Sequence, residues 1–507
     1  MSTDANEVTG SVAPLTGEEY LESLRDGRRV YVGGERVQDV TTHPAFRNAA
    51  RMVARLYDTL HDPGQRGIIT RATDTGSGSY THKYFVAMRS VDDVVGARDA
   101  ITAWSRLGFG YMGRTPDYKA CFLGTLGPNK DYWGEFAPNA ERWYREAQER
   151  TWYFNHVLLP PPVNRDKPME ESRDVFVRVT REVDGGFYVS GAKVVATGGP
   201  LTNYNFIAPL SMLPIKGEEF SVAFFLPVNA PGSSMICRAS YEQAATAPFD
   251  YPLASRVDEN DALLVLDDVF VPWENTLFYR DPERARGWRA ASGWLQRTVF
   301  HGCARLAVKF DFVCGLMLKA LESTGAKEFR GVQVNAGEVI AWRELFWSLS
   351  EAQARLPEPG PNGSLTPNHA AGRAYRAFAP RAWTRVREII QDLVASGLIV
   401  LPSGAADFNN PELRPLLDRF YVGSGGYDAE QKVKLMKLLW DATGSEFAGR
   451  HELYERNYSG NNESTTLDAY HAVQHNGEAE AMKAFAESCM ADYDLDGWLP
   501  GAFEWRG

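Results

Sequence analysis

The spacing of hydrophobic and polar residues changes twice along the chain. Up to about residue 152 the apolar positions recur every three to four residues, as in NAARMVARLYDTL and SVDDVVGARDAITAWSRLG, which predicts amphipathic helices. From about 153 to 282 the period approaches two, in segments such as DVFVRVTREV, GFYVSGAKVVAT, FSVAFFLPV and ALLVLDDVFVP, which predicts strands. After residue 283 the helical period returns over longer segments.

This order predicts an α+β protein, mainly α, in three parts. We expect an N-terminal helical domain (1–152), a middle antiparallel β-domain (153–282) and a C-terminal four-helix-bundle domain with a tail (283–507). Thr16 is placed to cap a first helix, and Gly33-Gly34 is placed to turn a hairpin within RVYVGGERVQDV. A further helix is expected over NAERWYREAQERTWYF, and LPEPGPNGSLTPN predicts an interhelical loop.

Composition narrows the class of protein. The 507 residues carry 54 Lys and Arg against 65 Asp and Glu, a net charge of −11, which disfavours nucleic acid as a partner. Five scattered cysteines without C-x-x-C spacing indicate neither a disulfide framework nor a zinc ribbon. The N-terminal stretch has no apolar core of a signal peptide, and no apolar run is long enough to span a membrane, so we expect a cytoplasmic protein without membrane contact.

Two motifs suggest sites that their context rejects. Gly108, Gly110 and Gly113 spell G-x-G-x-x-G, but a dinucleotide-binding turn follows a strand and opens a helix, whereas these glycines follow a predicted helix and precede a proline. No resident NAD(P)H site is therefore expected. His471 and His475 could share a helix face, yet no third ligand lies near them in sequence, so no metal site is predicted.

The segment GRTPDYKA predicts the start of a helix with an arginine and a tyrosine beside it. Thr115 is placed as N-cap and Pro116 as first helical residue. Arg114 lies just outside this helix and Tyr118 in its first turn, so a permanent positive charge, a hydroxyl and free backbone N–H groups converge on a spot that suits an anion. The alternative, on these residues alone, is an ordinary helix start beside a solvated arginine.

His156 lies at the predicted join between the helical and β parts, in WYFNHVLLPPPVNRDKP. Domain joins favour ligand pockets, and a histidine could accept or share the proton of a bound hydroxyl. An interior histidine with a structural role fits the same cues. Likewise the turn after SGAKVVAT, which holds Thr197, fits a ligand contact or a plain turn. No G-x-S-x-G motif supports hydrolase chemistry.

Taken together, these residues resemble the large oxygenase component of the 4-hydroxyphenylacetate 3-monooxygenase family, which are two-component flavin-dependent phenol hydroxylases. The resemblance runs through LTGEEYLESLRDGR, VTTHPAFRNAA, TDTGSGSYTHKYF, GRTPDYKA, SGAKVVAT, DENDALLVLDDVFVPWEN, FRGVQVNAGEVIAWRELFW and GSEFAGRHELYERNYSG, in the family's order. It implies an acyl-CoA dehydrogenase-like fold, which GAKVVAT and VFVPWEN also resemble.

The resemblance implies a reaction shared between two proteins. A separate NAD(P)H:flavin reductase supplies reduced FAD, which diffuses to this protein and reacts with O2. The C4a-hydroperoxyflavin so formed hydroxylates a para-substituted phenol ortho to its OH, with 4-hydroxyphenylacetate to 3,4-dihydroxyphenylacetate as the expected conversion. By similarity Arg114, Tyr118 and His156 hold the phenolic oxygen as catalytic and substrate-binding residues, and the protein forms a homotetramer.

The resemblance also assigns ligand contacts beyond the phenolic oxygen. Ser211 and Met212 are implied to border the substrate's tail. The residues implied to bind flavin fall in three segments and are Pro162, Val163, Asn164, Arg165, Thr197, Ser459, Gly460 and Asn461.

Two departures from the family pattern leave the substrate open. The turn after Thr197 reads Gly198-Gly199-Pro200, where more polar or small residues are expected, and the stretch 209–213 could accommodate a longer tail than acetate. A tyrosine or β-tyrosine derivative, free or tethered to a carrier protein, is therefore the alternative substrate. An acyl-CoA dehydrogenase and a non-catalytic flavin- or carrier-binding scaffold are the alternatives of other classes.

Overall fold

The fold was obtained as a computed structural model that describes residues 12–210, 215–457, 460 and 462–504. Its first part is helical, as predicted. Thr16 and Glu19 cap the first helix reciprocally, because each side chain accepts a hydrogen bond from the other residue's main-chain N–H, at 3.1 and 2.8 Å. The helices of this part are α1 (Gly17–Ser23), α2 (Arg47–Thr59), α3 (Pro63–Ile69), α4 (Val91–Leu107), α5 (Pro116–Leu126) and α6 (Ala137–Arg150).

Two sheets form the middle of the molecule. The strands are β1 (Val30–Val32), β2 (Glu35–Val37), β3 (Thr70–Ala72), β4 (Tyr80–His82), β5 (Phe154–Val157), β6 (Arg178–Val183), β7 (Gly186–Lys193), β8 (Tyr204–Ile207), β9 (Ala223–Pro227), β10 (Ser233–Cys237), β11 (Ala262–Pro272) and β12 (Thr276–Phe278). One sheet has the order β2-β1-β10-β11-β7-β6 and the other β12-β9-β8-β5, while β3 pairs with β4. Most pairs are antiparallel, but β1 with β10 and β5 with β8 are parallel.

One predicted helix ends earlier than its sequence pattern suggests. α6 stops at Arg150, where Thr151 adopts the left-handed conformation with φ +52°. The remaining residues of NAERWYREAQERTWYF leave the helix, and Phe154 begins β5. The predicted hairpin at Gly33-Gly34 is confirmed, and it adds β1 and β2 to the larger sheet.

Long helices dominate the rest of the chain. α10 (Trp294–Thr324) packs against α11 (Arg330–Arg355), α12 (His369–Val394) and α15 (Ala429–Thr443), and Gly444 ends α15 shortly before α16 (Glu446–Asn457) begins. The helices are α7 (Tyr241–Ala244), α8 (Ala254–Val257), α9 (Pro282–Ala291), α10 (Trp294–Thr324), α11 (Arg330–Arg355), α12 (His369–Val394), α13 (Ala405–Asn409), α14 (Arg414–Phe420), α15 (Ala429–Thr443), α16 (Glu446–Asn457), α17 (Asn462–His475) and α18 (Glu478–Met490). Short hairpins are formed by β13 (Glu358–Pro359) with β14 (Leu365–Thr366), inside the predicted loop, and by β15 (Tyr493–Asp494) with β16 (Gly497–Trp498).

α5 is the element that connects these parts. It contacts α10, α6 and β5, and all 11 of its residues are buried. A helix buried on every side must be apolar around its whole surface, which makes its few polar side chains conspicuous. Among the described helices, none combines the length and the apolar character that crossing a bilayer requires.

Candidate active site

The turn between α4 and α5 fixes the position of Arg114. Gly110 has φ +75°, and a Cβ there would lie 2.6 Å from the backbone of Lys309 in α10, so only glycine allows this close approach. The main-chain N–H of Arg114 donates to Glu259 Oε1 at 2.5 Å, and its carbonyl accepts from the Tyr153 hydroxyl at 2.5 Å. The glycines therefore lie in a turn between two helices, whereas a dinucleotide-binding turn follows a strand.

The first turn of α5 presents Tyr118 to the Arg114 guanidinium. α5 begins at Pro116 as predicted, although the Thr115 side chain makes no cap bond to the helix backbone. Arg114 Cζ lies 4.2 Å from the centroid of the Tyr118 ring and 5.3 Å from that of Tyr454. These distances are typical of cation–π contacts, which hold the charge beside the phenol ring.

His156 approaches the same place from β5. It lies opposite Phe206 of β8, and its ring centroid is 5.6 Å from that of Tyr118 and 5.7 Å from that of Trp294. Arg114, Tyr118 and His156 line one cavity of about 660 Å³. The structure thus brings together the three residues that the sequence predicts to hold a phenolic oxygen.

Lys119 is a residue of this site that the sequence analysis missed. Its Nζ lies 3.0 Å from Nδ1 of His156 and 4.4 Å from the Tyr118 ring, and the side chain is only 5% exposed. The signal was present in the sequence, since a lysine in the otherwise apolar segment YKACFLGTL needs a partner if the helix is buried.

Burial and neighbouring charges control the protonation of this pair. Burial lowers the pKa of His156 well below its usual range, and Lys119, Arg114 and Arg289 lower it further. Burial likewise lowers the pKa of Lys119, with Arg114 adding to the effect. The imidazole is therefore neutral at pH 7, and one of its nitrogens must be a hydrogen-bond acceptor.

A second buried group lies behind Tyr118. The Tyr118 ring is 5.3 Å from that of His301, whose Nε2 is 3.2 Å from Asp117 Oδ2. Burial raises the pKa of Asp117, but the neighbouring His301 outweighs this and the pKa is lowered; burial lowers the pKa of the nearby His82 to about 4. His301, Asp117 and His82 thus pack behind Tyr118, and the Asp117 carboxylate is ionised although it lies in the core.

The remaining walls of the cavity differ in polarity. Apolar side chains from α10 and from segments that follow strands line part of the cavity, and polar side chains from α9, α12, α16 and α17 line the rest, together with Thr298 of α10 and Gly460. On the polar side Arg376 donates to Asp468 Oδ2 at 2.9 Å, and Arg289 is a further cation. The apolar residues are Leu158, Leu159, Val194, Val195, Leu210, Trp294, Leu295 and Val299, and the polar side includes Arg289, Arg376, Asn457, Gly460, Ser464 and Asp468.

The other predicted ligand contacts are distributed unevenly. Gly460 lines the cavity, whereas the Thr197 hydroxyl donates to Asp261 at 2.5 Å outside it. The segment 162–165 also lies outside the cavity, and most of it is exposed. Four predicted contacts lie outside the described residues, namely Ser211, Met212, Ser459 and Asn461.

The cavity fits the reactive ring of a flavin in size and donor set. Its volume of about 660 Å³ exceeds what a phenol alone requires and falls within the range of cofactor sites. Near Gly460, whose φ is +109°, the amide of Asn457 and the hydroxyl of Ser464 suit the polar edge of an isoalloxazine. Within the described residues, no cluster of three His, Cys, Asp or Glu side chains could hold a metal ion.

Comparison with known proteins agrees with this geometry over nearly the whole chain. The model for the N-terminal part of 4-hydroxyphenylacetate 3-hydroxylases matches residues 16–278, and the model for their C-terminal part matches residues 285–487. The chain is 54% identical to a 4-nitrophenol 2-monooxygenase oxygenase component from Rhodococcus, over 97% of this chain and 95% of that protein.

Two further relatives are named for different substrates. The chain is 55% identical to a monooxygenase of (3S)-3-amino-3-(3-chloro-4-hydroxyphenyl)propanoyl peptidyl-carrier protein from Streptomyces globisporus, over 97% of this chain and 94% of that protein. It is 51% identical to the 4-hydroxyphenylacetate 3-monooxygenase oxygenase component of Pseudomonas aeruginosa, over 96% of this chain and 94% of that protein.

A solved structure confirms the predicted acyl-CoA dehydrogenase-like fold. The oxygenase component of a 4-hydroxyphenylacetate 3-monooxygenase, in complex with FAD and 4-hydroxyphenylacetate, superposes with a TM-score of 0.88 at 32% identity, covering 94% of this chain and 99% of that one. Both halves of the sequence and the whole fold lead to one assignment. The chain belongs to the 4-hydroxyphenylacetate 3-hydroxylase family.

Proposed function

We propose that this chain is the oxygenase component of a two-component phenol hydroxylase. It uses O2 and reduced FAD from a separate NAD(P)H:flavin reductase to hydroxylate a para-substituted phenol ortho to its OH. The best-supported conversion is 4-hydroxyphenylacetate to 3,4-dihydroxyphenylacetate. The observation that carries the proposal is the single cavity shared by Arg114, Tyr118 and His156.

Arg114 supplies the fixed positive charge that ortho-hydroxylation needs. A phenol has a pKa near 10, and its anion is far more reactive toward an electrophilic oxygen than the neutral form. A guanidinium stays charged at every working pH, so it stabilises the phenolate in a site from which water is largely removed. The Tyr118 ring, 4.2 Å from Arg114 Cζ, keeps this charge in place.

His156 binds the same phenolic oxygen, and Lys119 determines which ring nitrogen of His156 carries the proton. As an ammonium, Lys119 has no lone pair and can only donate, so its Nζ donates to Nδ1 of His156 at 3.0 Å. The proton of the neutral imidazole then resides on Nε2, and His156 offers the phenolate an N–H donor. Its role is to hold the anion by hydrogen bonding after the phenol proton has left.

Asn457, Gly460 and Ser464 would hold the flavin ring within the cavity. When bound, reduced FAD reacts with O2 and supplies the oxygen atom that enters the product. The apolar wall on α10, including Trp294 and Leu295, keeps water from the reacting centre. The remaining proposed contacts lie outside this cavity, so they require a part of FAD that extends beyond it; they are Pro162, Val163, Asn164, Arg165 and Thr197, with Ser459 and Asn461 outside the described residues.

The proposal is tested by reconstitution with an unrelated reductase. The purified chain is mixed in air with an NADH:flavin reductase, FAD, NADH and 4-hydroxyphenylacetate, and the catechol is quantified by chromatography. We expect most of the NADH consumed to be matched by an equal amount of catechol, and no catechol when either protein is left out. Hydrogen peroxide as the only product would contradict the proposal, and anaerobic bleaching of bound FAD by an acyl-CoA thioester would instead support a dehydrogenase.

A tyrosine or β-tyrosine derivative on a carrier protein is the second candidate substrate. The 55% identity to an enzyme with such a substrate favours it, and Ser211 and Met212 are the proposed contacts for its tail. A carrier protein loaded with β-tyrosine, offered beside free 4-hydroxyphenylacetate, separates the two. Higher kcat/KM for the loaded carrier would make the free acid the lesser substrate.

A homotetramer is the proposed assembly, with the three domains divided near residues 152 and 282. Large apolar side chains are exposed on the C-terminal helices, among them Val334 on α11 (65%) and Phe485 on α18 (83%), and such surface is commonly covered by other subunits. Light scattering after size exclusion should give a mass of four times 56.5 kDa, and a monomer mass would refute the proposal.

A cytoplasmic location is also proposed. The five cysteines form no disulfide, which supports it.

A further inference from the structure

Arg289 is a cavity residue to which the proposed reaction gives no task. It lies on α9, and within the described part of the chain no carboxylate lies within 4.0 Å of its guanidinium. Its Nε is buried without a hydrogen-bond partner, and its Nη1 donates to the Leu210 carbonyl over a long 3.4 Å. A guanidinium carries five N–H donors in a planar fork, and Arg289 lines the cavity, so it has donor capacity to offer a ligand there.

The position of Arg289 matches the far end of a bound phenol. Arg289 Cζ is 5.3 Å from the Trp294 ring, and the His156 ring is 5.7 Å from the same indole. Trp294 therefore borders both the phenol-binding residues and Arg289. A phenol whose oxygen is held at Arg114 and His156 can extend its para substituent along Trp294 to Arg289.

The charges around Arg289 favour an anionic ligand. Burial lowers the pKa of Arg289, and the charge of Arg376 lowers it further. Asp468 and Tyr118 offset this lowering only in part, and the Asp468 carboxylate is paired with Arg376 at 2.9 Å. A partly desolvated cation next to another cation is destabilised until an anion joins it.

We propose that Arg289 binds an anionic para substituent, a carboxylate, of the phenolic substrate and disfavours a para chain that carries an ammonium group. A bidentate guanidinium–carboxylate pair is the geometry for which arginine is suited. This inference rests on the proposed function and narrows its substrate class to free phenolic acids over amino-bearing tyrosine derivatives.

Three phenols that differ mainly in the charge of the tail provide the test: 4-hydroxyphenylacetate, its neutral amide and the cationic tyramine. With the reductase system above, wild-type kcat/KM should fall in that order. In Arg289→Gln the ratio of kcat/KM for acid over amide should drop about 10- to 100-fold, the size of one lost charged hydrogen-bond pair. Arg289→Lys should restore part of the ratio, and Arg286→Gln, an exposed arginine on α9, should leave it unchanged.

Calorimetric titration of the flavin-free protein with acid and amide gives a second readout that needs no turnover. The acid should bind more tightly than the amide to the wild type, and this preference should vanish in Arg289→Gln. A variant that weakens both ligands equally, or that loses FAD affinity instead of the acid preference, would overturn the inference. If the wild type hydroxylates no phenol, the proposed function fails, and the calorimetric acid preference alone decides the role of Arg289.

Discussion

At the scale of single residues, the proposed chemistry depends on three nitrogen-bearing side chains. They are Arg114 in the turn before α5, Lys119 in α5 and His156 in β5. Arg114 keeps its charge, whereas burial lowers the pKa of both Lys119 and His156, and neighbouring cations, Arg114 among them, lower each further. The site therefore combines one permanent cation with a neutral imidazole whose tautomer is set by a neighbour at 3.0 Å. Each role predicts a separate change in the behaviour of a bound phenol.

Replacing Arg114 by Ala should impair substrate ionisation most. Loss of the guanidinium beside Tyr118 raises the pKa of the bound phenol, so kcat/KM at pH 7 should fall about 10²- to 10³-fold, as when one preorganised charge-stabilising donor is removed. Catechol formed per NADH consumed should fall in parallel, because activated oxygen then decays to peroxide. Unchanged coupling between NADH use and product would contradict this role.

Replacing Lys119 by Met should shift the titration of a bound phenol without removing the site. The absorbance of 4-nitrophenol bound to the flavin-free protein reports its ionisation. The wild type lowers the pKa of the bound phenol because cations stabilise the anion; Lys119→Met should raise it, so that less phenolate forms at a given pH. The same change should raise the pKa of His156, since Lys119 is one of the groups that lower it. An unshifted nitrophenol titration would show that Lys119 only packs.

At the scale of elements, α5 and the turn before it position these residues. α5 is enclosed by α10, α6 and β5, and the backbone of the turn comes close to α10 at Gly110. The capping of α1, the Gly33-Gly34 hairpin and the starts of α4 and α5 follow local rules that act within a few residues, so the sequence predicts them. The end of α6 and strand β5 were missed, because Thr151 turns left-handed without a glycine and β5 depends on its distant partner β8.

Gly110→Ala should damage the site through the backbone. The added Cβ would meet Lys309 at 2.6 Å in a conformation with φ +75°, so the turn must move and carry Arg114 with it. We expect a lower melting temperature and a lower kcat/KM for 4-hydroxyphenylacetate. The matched control is Gly67→Ala in α3, where the added Cβ meets open space and both quantities should stay near wild type. Equal effects of the two variants would refute the argument.

At the scale of the whole molecule, a buried ion cluster ties distant parts of the chain together. Glu455 of α16 binds Arg305 and Lys309 of α10 at 2.6 and 2.9 Å, and Arg305 donates to the Gly110 carbonyl at 2.7 Å. Burial opposes the ionisation of Glu455, but the two cations outweigh it and lower its pKa from 4.5 to about 2. Burial also lowers the pKa of Lys309, to about 8.

This cluster predicts a pH dependence of stability. Because the folded pKa of Glu455 is depressed, its contribution is complete above about pH 4.5 and is lost as the pH falls toward about 2. Glu455→Gln leaves two cations without their carboxylate, so the free energy of unfolding at pH 7 should drop by about 3–5 kcal/mol. The melting temperature should fall less steeply between pH 7 and pH 3 for this variant than for the wild type. Glu18→Gln, at an exposed position in α1, serves as control, and parallel curves for all three proteins would contradict the prediction.

The sequence by itself determined the helix, sheet, helix order, the family resemblance and the identity of Arg114, Tyr118 and His156 as a candidate set. Hydrophobic periodicity and capping act over short stretches of chain, and the motif GRTPDYKA is contiguous, so both can be seen without a fold. Only the tertiary structure decided that Lys119 contacts His156 and that Arg289 faces the same cavity. These placements bring α5 beside β5 and let α9 line the same cavity as β5, and the pKa shifts arise largely from burial, which exists only once the elements have packed.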